Sequence, residues 1–98
     1  MAAEVDHQVH RPQAKDVDAK QFLGIVYDLN VKENGWAMRF DVEDTFSPRF
    51  PKKVLMAKAQ KLIDQGLMRG CACGCRGDYV VEREGCDLIG RPYHGIDY

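Results

Sequence analysis

Phe22-Leu23-Gly24-Ile25-Val26-Tyr27-Asp28-Leu29-Asn30-Val31-Lys32-Glu33-Asn34-Gly35-Trp36-Ala37-Met38-Arg39-Phe40-Asp41-Val42 is the stretch on which the fold turns. Two segments rich in β-branched and aromatic residues, Phe22 to Val31 and Trp36 to Val42, flank Asn34-Gly35. Asn-Gly is the strongest short hairpin signal, because both central positions of the favoured turn need φ > 0. A two-residue loop pairs Glu33 with Trp36. It then sets Val31 opposite Met38, Leu29 opposite Phe40 and Tyr27 opposite Val42. All of these pairs fall on one face, and Ala37, Arg39 and Asp41 fall on a wetter one. The expectation is an N-terminal β-hairpin, with Tyr27, Trp36 and Phe40 in the core beneath it.

Downstream, Glu43 to Phe50 reads as a loop. Pro51 suits a first helical position, where its missing N–H costs nothing. A helix is expected from Pro51 to Gln65, stopped by Gly66. Val54, Leu55, Ala59, Leu62 and Ile63 form its apolar stripe, and Lys53, Ala57, Gln60, Lys61 and Asp64 face the other way. Leu67 to Arg69 is a short extended piece, and Asp78 to Arg83 is a strand ended by Gly85. Cys86 to Ile89 reads as a single helical turn. Upstream, residues 1–20 read as a disordered or arm-like segment, polar and without sustained period. Residues 21–90 form the single domain, and residues 91–98 form an aromatic tail that packs on the hairpin or docks on a partner.

The chain has 98 residues, 45% hydrophobic and 30% charged, which fits one globular domain. No apolar run approaches the roughly 20 residues of a membrane span, and no signal peptide is visible. The expected setting is reducing, with no membrane partner. The net charge of −1 conceals three blocks. Residues 1–48 carry nine acids and five bases. Residues 49–76 carry seven bases (Arg49, Lys52, Lys53, Lys58, Lys61, Arg69, Arg76) against Asp64 alone, and residues 77–98 carry five acids and two bases. An anionic partner would meet the middle block.

The four cysteines, Cys71, Cys73, Cys75 and Cys86, all lie in the C-terminal half. In extended backbone, positions i, i+2 and i+4 point the same way, and Gly70, Gly74 and Gly77 let the chain bend. A structural zinc ion held by Cys71, Cys73, Cys75 and Cys86, with His94 as the other candidate fourth ligand, is the leading reading. A disulfide from Cys71 or Cys75 to Cys86, free thiols, and an activated thiol beside Arg69 and Arg76 stay open. Arg76-Gly77-Asp78 is turn chemistry rather than an adhesion signal. The acid pair Glu43-Asp44 has no partner in sequence, and no catalytic constellation is present, so the chain reads as non-enzymatic.

Lys61-Leu62-Ile63-Asp64-Gln65-Gly66-Leu67-Met68, a turn, then Tyr79-Val80-Val81-Glu82-Arg83-Glu84-Gly85 with Leu88-Ile89, resembles the end of a winged-helix domain. In that family a helix ends in a Gly-Leu step, a β-wing loops out and a return strand closes. A full winged helix has two more helices upstream, where this reading has the hairpin. Gly70-Cys71-Ala72-Cys73-Gly74-Cys75-Arg76-Gly77-Asp78-Tyr79, preceded by Lys58 to Leu67, is also similar to small proteins of tailed bacteriophages. That similarity implies a phage origin, in host cytoplasm or virion.

The sequence therefore leads to an α+β fold: a hairpin, one main helix and a winged-helix-like β-wing bearing the cysteine turn. Two functional readings follow. One is a phage-encoded structural or interaction module, extending to a virion component, that contacts a protein or its own copies through the arm and tail. The other is a nucleic-acid-binding regulator using Lys53, Lys61, Arg69 and Arg76.

Overall fold

Residues 13–46, 50–70 and 78–95 are described by the structure, a computed structural model. Among these residues the elements run as helix α1 (Ala19–Glu33), strand β1 (Ala37–Met38), helix α2 (Arg39–Phe46), helix α3 (Lys52–Asp64), strand β2 (Met68–Gly70), strand β3 (Asp78–Val81) and helix α4 (Arg83–Ile89). The fold is mixed α+β.

The expected hairpin is replaced by α1, β1 and α2. Phe22, Leu23, Val26, Tyr27 and Asn30 are the buried residues of α1. Their spacing of i, i+1, i+4, i+5 and i+8 is one helical face, not the alternate positions of a strand. Asp18 caps the start, its Oδ2 accepting from Gln21 N at 2.9 Å. Asn34 closes the end in the left-handed region at φ 51°. The positive φ that makes Asn-Gly a hairpin turn also makes Asn a helix terminator, and here it serves the helix. Gly35 N donates back to Asn30 O at 3.0 Å. Three residues expected inside the hairpin lie outside: Val31, Met38 and Phe40 are 53%, 44% and 60% exposed. The expected loop after Val42 is also helical, since α2 runs on to Phe46 and buries Arg39, Val42 and Phe46.

The second half follows the sequence more closely. Helix α3 begins after Pro51, and Leu55, Ala59 and Leu62 are buried. The strands form an antiparallel sheet in the order β1-β3-β2. Ala37 faces Tyr79 across β1–β3, while Met68 faces Val81 and Gly70 faces Tyr79 across β2–β3. Gly85, expected to end a strand, sits inside α4. A Cβ there would stand 2.2 Å from Leu67 O, so only glycine lets α4 lie this close to the start of β2. Residues 14–16, expected in the arm, make a 3-10 turn, and the next residue, Val17, is buried. Residues 1–12 lie outside the described residues.

Helix α1 packs against β1, β3, α2 and α4, and α3 packs against β2 and the 3-10 turn. Phe22 is the centre of the aromatic core, with ring centroids 5.7 Å from Phe46 and 6.2 Å from Tyr79. Through the same layer runs one polar link. Asn30 is fully buried, and its carboxamide donates to Tyr79 O at 3.0 Å and to Gly35 O at 2.9 Å. It accepts from Val81 N at 3.1 Å. Two-residue β1 ends before Val81, so the Asn30 amide does for β3 what a further peptide of β1 would do. Asn30→Ala removes these three hydrogen bonds, to Tyr79 O and Val81 N in the core and to the half-buried Gly35 O. At about 1–3 kcal/mol per buried group, softened by relaxation, the loss is about 3 kcal/mol. Thermal denaturation should show a midpoint more than about 10 °C lower, with exposed Lys32→Ala as an unchanged control.

Candidate nucleic-acid interface

Helix α3 is two-faced because its apolar residues recur at helical spacing and its lysines fall between them. Lys53, Ala57, Gln60, Lys61 and Asp64 are all exposed, as the sequence pattern expects. The helix contains four lysines and one acid, and its first turn holds no acid. Lys52 and Lys53 there oppose the helix dipole, an unfavourable placement that a bound anion would reverse. From Lys53 to Lys61 the row spans about 12 Å at 1.5 Å per residue. At the C-terminal end of this face, Gln60 Nε2 donates to Asp64 Oδ1 at 2.8 Å. Sequence reasoning placed both residues on this face without joining them, although the i, i+4 Gln/Asp spacing is itself the signal.

Beyond α3, Arg69 stands on β2 with its side chain half exposed. Its Nε is 2.7 Å from Oε2 of Glu82, the residue between β3 and α4. Gly70 ends β2 at φ 146°, where a Cβ would lie 2.1 Å from Asp78 O. From there residues 71–77 connect two paired strands. Cys71, Cys73, Cys75 and Arg76 belong to that connection and lie outside the described residues.

Cys86 is the cysteine among the described residues. It lies on α4, fully buried in the core, as a free thiol. The connection leaves the sheet at Gly70 and Asp78. Cys86 follows the opposite end of β3, beyond the Met68–Val81 pair. Roughly 10 Å of strand separates those ends at about 3.3 Å per residue. His94, the other candidate ligand, rests in the tail with its ring 5.6 Å from Tyr27 and 4.9 Å from Tyr93. The tail packs on α1: Tyr27 OH donates to Pro92 O at 2.7 Å, and Arg91 Nη1 pairs with Asp28 Oδ1 at 2.6 Å. Among the described residues no three His, Cys, Asp or Glu side chains gather as a metal centre. Of the acid pair, Glu43 lies on α2, not in a loop, 3.2 Å from Arg39 Nε.

Burial pushes the Cys86 thiol above its ordinary value of 9.0, against a smaller lowering by the His94 backbone. An unfolded chain releases this proton more readily, so stability falls as pH rises through the ordinary thiol range. Cys86→Ala should remove that loss. The gap between the urea midpoints of the two proteins should stay constant from pH 7 to about pH 9 and change above it, the parent falling further.

Among the described residues no helix is long and apolar enough to cross a membrane. In comparison with known proteins, no family model, curated protein or solved structure matches this chain.

Proposed function

We propose that this chain is a small winged-helix module that binds duplex nucleic acid through α3. The observation that carries the reading is the element order. Helix, strand, helix, helix, strand, strand, with the sheet ordered β1-β3-β2, supplies upstream of α3 the two helices that the hairpin expectation had removed. The second support is charge. Four lysines lie on α3, Lys53 and Lys61 among its exposed residues, and Arg69 flanks it on β2. Arg76, in the connection that corresponds to the wing, completes the basic set. The module is read as non-enzymatic, and the similarity of Gly70 to Tyr79 to phage proteins gives its proposed origin.

Contact at Lys53, Lys61, Arg69 and Arg76 should make log affinity for a 20-base-pair duplex fall with log salt at a slope of roughly −3.6, at about 0.9 per phosphate. Lys53→Glu with Lys61→Glu should abolish binding in a fluorescence-anisotropy titration at low salt. Duplex affinity that ignores both salt and these charges would sink the proposal.

A second reading, a phage structural or interaction module, is favoured by Val31, Met38 and Phe40, which stand exposed within ten residues of chain around β1. Such a module would present that region to a protein partner or to its own copies, in the host cytoplasm or in a virion.

For the turn, the proposed ligands of a structural zinc ion are Cys71, Cys73, Cys75 and Cys86, with His94 as the other candidate for the fourth position. Native mass spectrometry of protein purified without chelator should show a zinc-sized increment that disappears on denaturation. Cys73→Ser and Cys86→Ala should each lose the increment; an increment kept by Cys86→Ala and lost by His94→Ala would assign the fourth position to His94.

A further inference from the structure

The geometry points to Gln60 as a base-reading side chain, set by Asp64 to recognise adenine, with Ala57 beside it to receive the thymine methyl. This rests on the reading of α3 as a duplex-binding helix.

The argument begins with Asp64. An ionised carboxylate only accepts hydrogen bonds, so the group Gln60 turns toward it must be the NH₂ end of the amide. The 2.8 Å contact between Gln60 Nε2 and Asp64 Oδ1 uses one of its two N–H donors. The remaining N–H and Oε1 form a donor–acceptor pair on an exposed helix face. In the major groove adenine presents N7 as an acceptor and N6–H₂ as a donor, and a glutamine amide matches the two bidentately. A free glutamine must lose rotamer freedom to adopt that pose, whereas Gln60 is already tethered one turn along the helix.

Position on the helix agrees. Ala57 precedes Gln60 by one turn and is exposed, so the row offers a methyl group next to an amide. Small apolar side chains contact the thymine C5-methyl, which the adenine–thymine pair also presents in the major groove. Lys53 lies two turns before Gln60 and Lys61 directly follows it, so both charges share the exposed face with Ala57 and Gln60. The lysines then reach phosphates while Ala57 and Gln60 meet base edges. Asp64 weakens this face as a plain anion binder. Its contribution is the fixed amide.

The test is selection from a pool of 20-base-pair duplexes with a randomised centre, using the full chain and Gln60→Ala. Anisotropy titrations then compare a selected duplex with one in which the enriched A·T pair is replaced by G·C. Gln60 is exposed, and alanine is a strong helix former, so the variant should keep the parent's circular dichroism. The parent should enrich one A·T position and prefer the A·T duplex by about fivefold or more. Gln60→Ala should bind both duplexes equally and with the parent's salt dependence. Asp64→Ala should bind both more tightly and discriminate less. Salt-dependent binding with no enriched position, or a preference that survives Gln60→Ala, overturns this inference and leaves duplex binding standing. No binding to any duplex overturns both.

Discussion

A buried carboxamide holds this fold in register. Asn30 sits on the inner face of α1 with no exposed surface, between the carbonyl of Tyr79 and the N–H of Val81, and reaches the turn at Gly35 as well. The aromatic contacts of Phe22 with Phe46 and Tyr79 supply attraction, but they tolerate sliding. Three directed hydrogen bonds do not, because each buried partner must find its own complement. They fix the depth and rotation of α1 over β3, and the central strand in turn sets the positions of β1 and β2. Everything that α3 can present follows from that arrangement, since α3 is docked on β2 and on the turn before α1.

Stability and surface chemistry divide cleanly along α3. Leu55, Ala59 and Leu62 seal the core, while Lys53 and Lys61 lie on the exposed side. Charge and packing therefore do not compete for the same positions. The basic row can change without touching the core, and the core can be tuned without moving the row. The strand that follows has less freedom. Gly70 and Gly85 mark places where backbone meets backbone, at Asp78 O and Leu67 O, and no side chain fits at either.

The second half of the molecule was legible in the sequence and the first half was not. Pro51, the spacing of Leu55, Ala59 and Leu62, and Gly66 describe one helix without ambiguity, and the strands on either side of the cysteine turn follow. Phe22 to Val42 contains β-branched and aromatic residues, and Asn-Gly is shared property of hairpins and helix ends. Propensity and turn chemistry pointed one way. The period of the buried residues, Phe22, Leu23, Val26, Tyr27 and Asn30, pointed the other, and tertiary packing followed the period. Asp18 ahead of that run, a helix cap, was the local signal that distinguished the two. At the candidate interface the exposed residues of α3 were readable from spacing alone. The burial of Cys86 in the core was not, because it depends on where α4 folds after β3.

The contacts of α1 also set a schedule. Its hydrogen bonds and ion pair reach Val81, Arg91 and Pro92, at sequence separations of 51, 63 and 65 residues. Contacts so distant along the chain form late and slow the search for the native state. On the ribosome, where the chain emerges at about 5–20 residues per second, α1 leaves the exit tunnel seconds before the partners of Asn30 and Tyr27 exist outside it. Through that interval Phe22, Leu23 and Val26 have no strand to cover them.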